Sequence, residues 1–343
     1  MKDIIRPSGL NNPEKARIIE VDADSSAQRL DNFLMRELKG VPKTHVYRII
    51  RSGEVRINKG RASAQTRLEV GDLVRIPPLR TSQEADHKSA DAQSGAIPAR
   101  EFPVLLEDEG FMAIDKPAGV AVHGGSGVSF GVIEQLRLAR PSINALELVH
   151  RIDRETSGIL LVSKKRSALL HLQNQFRERE TGKTYLALVV GQWPSNRKVI
   201  DLPLERYLLD NGAQMGERRV RVVSAQDPNG MRAITLVRVA RLVGPYSLLE
   251  VTIKTGRTHQ IRVHLASLGY PIAGDQKYAS DAQNKATAAV GLKRMFLHAW
   301  RLKFIHPRTA LPIELECPLP PELQAFVESA QAGEHSRVRV PSP

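Results

Sequence analysis

The chain has 343 residues, 41% of them hydrophobic, enough to bury a substantial core and more than one typical domain requires, so two domains are expected. Fifty Lys and Arg against 37 Asp and Glu give a net charge of +13, which favours polyanions, with nucleic acid ahead of an anionic membrane. The single cysteine, Cys317, excludes an internal disulfide framework and a cysteine-rich zinc site, and neither a bilayer-length apolar run nor the apolar stretch of a signal peptide is present, so a cytoplasmic protein without a membrane partner is expected, with Cys317 in a packing role.

Residues 1–17 mix charge, Pro and Asn and are expected to form a flexible N-terminus, followed by a small α+β module over 18–80. Leu30, Phe33, Leu34 and Leu38 recur at helical spacing after a Ser25-Ser26 cap, and Gly40 is the stop. Pro42 opens a second helix with Val46, Ile49 and Ile50 as its apolar stripe, ending at Ser52-Gly53. Alternating GEVRIN, a turn at Asn58-Lys59-Gly60, and LEVGDLVRIP with a turn at Gly71-Asp72 predict short strands. Over residues 28–80, 12 Lys and Arg stand against 5 Asp and Glu, so +7 of the total charge sits in this small part. Basic residues alone suit any solvated helix face. The stretches RLDNFL, KTHVYRIIRSGEVRIN and LEVGDLVRIP, however, resemble the small RNA-binding module first named from the fourth protein of the small ribosomal subunit. That resemblance implies that Arg29, Lys43, Arg48, Arg51 and Arg56 contact phosphates, which position a protein on RNA without reading bases.

Residues 81–100, TSQEADHKSADAQSGAIPAR, have no aromatic residue and, alanines apart, one aliphatic, Ile97, so ordering them would not be repaid and they are expected to be a linker. From 101 to 330 strand-like stretches dominate: FMAIDKP, GILLVSKK, KTYLALVVG, ITLVRVARL, YSLLEVTIKTG and MFLHAWRLKFIHP. Helical patterns are fewer, chiefly VIEQLRLA, SALLHLQNQFRERE and THQIRVHLASLG, and do not alternate regularly with the strands as in a doubly wound fold. An α+β domain on a mixed, largely antiparallel sheet is expected, then a flexible tail over 331–343.

The segment from His150 to Gly158, HRIDRETSG, packs five ionisable side chains ahead of the apolar strand ILLV and is too charged to be core. As a loop it presents Asp153 into a cleft beside Arg151 and Arg154, with Thr156 and Ser157 available to hydrogen-bond carboxylate or backbone; the alternative is a charged turn with ordinary surface ion pairs.

HRIDRETSGILL resembles the catalytic signature of the large family of pseudouridine synthases acting on ribosomal and transfer RNA, and four further family stretches occur in order. DKPAG from Asp115 to Gly119, continuing to His123, precedes it, while KTYL from Lys183, TGRTHQIRVH over 255–264 and LHAWRLKFIHP over 297–307 follow. The stretches LDNFLMRELKGVPKTHVYRIIRSGEVRIN, AVHGGSGVSFGVIEQLR and LVSKKRSAL are similar to the C-type branch acting on large-subunit (23S) ribosomal RNA. The family's chemistry breaks the glycosidic bond of uridine, turns the uracil and joins it through its fifth carbon, with no redox change or group donor, which suits a sequence with no dinucleotide fingerprint and no P-loop.

The resemblance implies Asp153 as the catalytic carboxylate, with Arg262 of GRTHQIRVH as its partner arginine, since a neighbouring guanidinium favours the ionised form and fixes its orientation. It implies Tyr185 against the base near its reacting carbon, for stacking or for proton removal, the alternative being a half-buried strand tyrosine with a satisfied hydroxyl. Arg151 matches the residue that fills the gap left by an extruded base, or else it stabilises its loop through a salt bridge. No cofactor is implied, the partner is large-subunit ribosomal RNA, and nothing demands more than a monomer. The same chemistry on transfer RNA or another ribosomal helix, and a noncatalytic ribosome-associated RNA-binding protein, are the alternatives.

The glycines of HGGSGVSFG, Gly124, Gly125, Gly127 and Gly131, lack the Gly-Lys-Ser/Thr ending of a P-loop and suit an RNA-facing loop. His123, His150, His259 and His264 have no metal-ligand spacing and are expected to be ordinary hydrogen-bonding histidines. Ser126 and Ser157 form no nucleophile elbow.

Overall fold

The computed structural model describes residues 16–22, 25–38, 41, 43–78, 97–124, 130–143, 145–209 and 217–332. The chain divides into two compact units, Met1–Ala96 and Ile97–Pro343, the boundary falling inside the segment read as a linker. Most of that segment, nearly all of the expected flexible N-terminus and all but two residues of the expected tail lie outside the described residues, as do Gly40, Pro42, Gly125, Ser126 and Gly127.

In the first unit β1 (Arg17–Glu20) is followed by α1 (Leu30–Glu37), α2 (Lys43–Arg51), β2 (Arg56–Ile57), β3 (Gly60–Arg61) and β4 (Leu73–Ile76). The strands form an antiparallel sheet in the order β1-β4-β2-β3. Leu30, Phe33, Leu34 and Leu38 from α1 and its C-cap meet Val46, Ile49 and Ile50 of α2 and Val74 and Ile76 of β4 in one buried cluster. Two expectations need correction. Ser25-Ser26 does not cap α1: Arg29 holds the N-cap position without a side-chain cap, and the Ser25 hydroxyl donates to Asp22 at 2.5 Å in the preceding turn. Leu68–Val70 is not strand, because its chain turns at Gly71, and β4's partner on the other side is β1, beginning at Arg17, a residue assigned to the flexible N-terminus.

The second unit runs β5 (Val104–Glu107), β6 (Phe111–Lys116), α3 (Val132–Ala139), β7 (Glu147–Leu148), β8 (Ser157–Ser163), α4 (Arg166–Glu178), β9 (Gly182–Val190), β10 (Val199–Asp201), β11 (Leu204–Leu209) and β12 (Glu217–Val222). It continues with β13 (Ile234–Val243), β14 (Tyr246–Ile253), α5 (Gln260–Ser267), α6 (Asp281–Ala289), β15 (Leu297–Ile305), β16 (Pro312–Glu316) and α7 (Pro321–Gln331). Ten strands form one sheet with the backbone order β10-β13-β14-β9-β15-β8-β6-β5, β16 pairing with β15 and β7 with β8, while β11 and β12 form a separate hairpin. All pairs are antiparallel except β15 with β8, so the sheet is mixed and largely antiparallel.

Both faces of the sheet's centre are covered, which is why its strands read as unbroken apolar runs rather than alternating ones. Along β8, Leu160 and Val162 pack with Val132, Ile133 and Leu136 of α3, whereas Ile159 and Leu161 pack with Leu169 and Leu172 of α4 and with Cys317. Along β9, Ala187 and Val189 meet Ile261 and Leu265 of α5, whereas Leu186, Leu188 and Val190 meet Leu323, Phe326 and Val327 of α7. The period of two thus assigns helices to opposite faces. Tyr185, on the Ala187 side of β9, packs against both the α5 and the α3 clusters and so sits at their seam.

Candidate active site

The loop between β7 and β8 carries HRIDRETSG, and several of its residues have separate anchors. His150 stacks on Phe176 of α4, ring centroids 4.6 Å apart, and its Nε2 accepts from the Leu161 backbone N–H at 3.1 Å. Burial first and the nearby Lys183 charge second depress the His150 pKa to about 3, so the ring is a neutral acceptor. Ile152 is buried in the α3 cluster. The Thr156 N–H donates to the Asp153 carbonyl at 3.1 Å, closing a turn that leaves the Asp153 carboxylate partly exposed. Ser157 does not turn to the carboxylate: its hydroxyl meets His298 Nδ1 at 2.9 Å and accepts from Arg294 at 2.6 Å. Gly158 is required here, since its φ is +104° and a Cβ would lie 2.3 Å from the Ala299 carbonyl of the parallel neighbour β15.

DKPAG clasps this loop. The Lys116 ammonium is fully buried and donates to the carbonyls of Pro117 and Val120, both at 2.8 Å, and of Arg154 at 3.1 Å. Burial lowers its pKa to about 7 against the opposing charge of Glu155. Gly119 N–H and Arg154 Nε complete the clasp, donating to the Arg154 and Gly119 carbonyls at 2.9 Å each.

TGRTHQIRVH forms the opposite wall. Its turn is tied by Gln260, whose Oε1 accepts from the Thr255 hydroxyl at 2.7 Å and from Arg257 N–H at 3.1 Å, and whose amide donates to the Ile234 carbonyl at 3.0 Å. His259 occupies the N-cap of α5 in the left-handed region, φ 52°. One turn on, Arg262 is 4% exposed and bidentate to the fully buried Asp275, with Nε and Nη2 each donating at 2.8 Å. Its remaining nitrogen, Nη1, donates to Asp153 Oδ2 at 3.3 Å. Burial opposes the guanidinium charge, but the hydrogen bonds and charge of Asp275, with that of Asp153, overcome it and raise the pKa. Asp275 Oδ1 also accepts from the backbone N–H groups of Lys277 and Tyr278 at 2.9 and 3.3 Å, which fixes the carboxylate in place.

An open cleft lies between the two walls, lined among others by Arg151, Asp153, Tyr185, His259 and Arg262. The structure therefore brings four expected residues together: Asp153, Tyr185, Arg262 and Arg151. Tyr185 is half-buried, and burial, then the Asp153 charge, raise its pKa, so the phenol holds its proton tightly. Arg151 is exposed and has no ion-pair partner among the described residues, so a salt bridge within its loop is not found. Sequence reasoning passed over Asp275, Tyr278 and His259; AGDQKYAS over 273–280 went unread, and His259 was taken as an ordinary histidine although it directly follows GRT of a quoted motif.

The expected phosphate contacts lie in the first unit and differ among themselves. Arg29 is held by the buried Asp31, at 2.6 Å through Nη2, with Tyr47 donating to the same carboxylate at 3.1 Å. Arg48 and Arg51 are exposed one helical turn apart on α2, Arg48 meeting His45 at 3.0 Å. Arg56 is exposed and donates to the Lys59 carbonyl at 3.3 Å, and the Lys43 side chain lies outside the described residues. Among the described residues no group of His, Cys, Asp and Glu could hold a metal ion, and no helix is long and apolar enough to cross a membrane.

Residues 110–267 match the family model for RNA pseudouridylate synthase, and residues 28–74 match the S4 domain. The chain is 46% identical over 314 residues to the ribosomal large subunit pseudouridine synthase C of Pasteurella multocida (strain Pm70), covering 92% of this chain and 94% of the relative. To the protein of that name from Salmonella typhi it is 47% identical over 314 residues, 91% and 96% of the two chains. Among solved structures, Human RNA Pseudouridylate Synthase Domain Containing 4 superposes with a TM-score of 0.53 at 26% identity over 67% of this chain and 93% of that one. Human RNA Pseudouridylate Synthase Domain Containing 1 gives the same TM-score at 25% identity, with coverage of 74% and 100%.

Proposed function

Because the chain belongs to the RNA pseudouridylate synthase family, we propose that it converts uridines of large-subunit ribosomal RNA to pseudouridine with the Asp153 carboxylate as the reacting group. In this isomerisation the bond from C1′ to N1 breaks, the uracil turns, and a bond from C1′ to C5 forms. N1 gains a proton and C5 loses one, so no oxidant, reductant or donor is consumed.

The observation that carries the reading is the convergence of Asp153, its guanidinium partner and Tyr185 in one cleft, with Arg262 itself immobilised by Asp275. Such an arrangement supplies a carboxylate whose orientation is set before substrate arrives and costs little reorganisation during the reaction. Attack on the base, attack on the ribose, and elimination with Asp153 as base all draw on it. Tyr185 lines the cleft with an aromatic face for the uracil. Arg151, exposed at the rim, takes the space vacated when the uridine is extruded. The first unit contributes phosphate contacts through the exposed arginines of α2, with Arg29 serving its fold instead.

Nucleoside chromatography after incubation with protein-free large-subunit ribosomal RNA and, separately, transfer RNA tests the substrate. New pseudouridine in the ribosomal RNA alone supports the proposal. Pseudouridine in transfer RNA alone overturns the substrate, and none in either overturns the activity.

A further inference from the structure

Asp153 has a second donor neighbour besides Arg262: His259 Nε2 lies 3.9 Å from the same oxygen, Oδ2. We propose that His259 is a positioning residue for Asp153, locked by Tyr278 as the tautomer that carries its proton on Nε2. The inference deepens the reading above and rests on Asp153 being the reacting carboxylate.

Hydrogen-bond bookkeeping around the Tyr278 hydroxyl assigns the tautomer. That oxygen accepts from the Val220 backbone N–H at 3.3 Å and lies 2.7 Å from His259 Nδ1. Its own proton has one acceptor among the described residues, the Nδ1 lone pair. Burial raises the Tyr278 pKa to about 12, so the proton is there to be donated. With Nδ1 accepting, a neutral imidazole carries its hydrogen on Nε2. The opposite tautomer would strand the phenol proton and aim a lone pair at the Asp153 carboxylate, so it loses on both sides of the ring.

The groups facing the ring keep it neutral. Asp153 lies across the cleft, Arg262 one turn along α5, and Asp275, Lys277 and Tyr278 on the segment ahead of α6. Burial, then Arg262 and Lys277, outweigh the two carboxylates and lower the His259 pKa. Arg262 and His259 thus both address Oδ2, and no donor reaches Oδ1 among the described residues. Oδ1 is left for the substrate. A shift of roughly one ångström turns the 3.9 Å approach into a hydrogen bond, the usual tightening of a catalytic contact when substrate binds.

Long-range proton–nitrogen NMR on the full-length enzyme labelled with nitrogen-15 histidine reads the tautomer directly, with the His259 signals assigned by their loss in His259→Gln. We expect the Nε2–H pattern in the native enzyme and a tautomer mixture in Tyr278→Phe; an Nδ1–H pattern in the native enzyme overturns the proposal whatever the variants do. In single turnover on protein-free large-subunit ribosomal RNA, His259→Ala lowers the rate constant about tenfold, the worth of one hydrogen bond, with RNA affinity unchanged. His259→Gln, whose amide can place an N–H near the Nε2 position, restores most of that loss. Tyr278→Phe, which leaves the tautomer unlocked, is slowed by less than His259→Ala. Glutamine and alanine variants of equal rate, or a Tyr278→Phe variant as fast as the native enzyme, overturn the positioning role, with thermal melts identifying any variant that has unfolded. Were Asp153→Asn to retain activity, the failure would belong to the catalytic reading instead.

Discussion

Asp275 holds two nitrogens of Arg262 at 2.8 Å each, closer than the 3.3 Å at which the third reaches Asp153. The guanidinium is thus anchored from behind and offers one edge to the cleft. Removing one partner of a buried pair strands the other charge, so Asp275→Ala should destabilise the fold by about 3–5 kcal/mol in chemical denaturation. Turnover should fall as well, because Arg262 then has only Asp153 and solvent to orient it. Unchanged stability would mean that solvent reaches this pair.

Lys116 ties DKPAG to the loop that carries Asp153 through three carbonyls. Lys116→Met keeps much of the volume but leaves those acceptors without their donor, each buried acceptor costing about 1–3 kcal/mol when unpaired. Lower stability together with slower turnover, with RNA affinity retained, is expected. Loss of stability at full activity in the folded fraction would show that the clasp does not position the loop.

His150 makes stability depend on pH. Its pKa falls from the ordinary 6.5 to about 3 on folding, so between those values the unfolded chain binds more protons than the folded one. The contribution is complete above pH 6.5 and is lost as pH falls toward 3. His150→Gln, which still offers an acceptor to Leu161, should flatten the stability curve in that window by up to one proton, about 1.4 kcal/mol per pH unit. An unchanged slope would mean that other depressed histidines, such as His264 and His298, set it.

Much of this architecture was legible from apolar patterning: YSLLEVTIKTG contains β14, ITLVRVARL covers β13 up to Leu242, and VIEQLRLA, at helical spacing, spans α3. Several other short or amphipathic elements were not. The hairpin of β11 and β12 mixes charged with apolar residues and stands apart from the large sheet, and the two-residue β7 is defined by its neighbour β8. The apolar spacing of α7, Leu323, Phe326, Val327 and Ala330, was present but unread. In the site, motifs located Asp153, Tyr185 and Arg262, whereas Asp275 and Tyr278 come from a loop whose meaning depends on folding back to α5. The ion pair of Arg29 with Asp31, two residues away, was likewise not legible in the motif that named Arg29.

Docking by the first unit has an electrostatic signature. If Arg48 and Arg51 neutralise phosphates, RNA affinity should fall steeply with salt, and replacing either by Ala should reduce the slope by about one counterion with stability nearly unchanged. A salt slope identical in native and variant proteins would remove α2 from the RNA interface.

The central claim is that Asp153 performs an isomerisation which expels the hydrogen on uridine C5. It is tested most directly by tritium release from protein-free large-subunit ribosomal RNA labelled at that carbon, comparing the native enzyme with Asp153→Asn and measuring RNA affinity for both. Release by the native enzyme, none by the variant, and nearly equal affinities are predicted. Release by Asp153→Asn at a rate near that of the native enzyme would contradict the account.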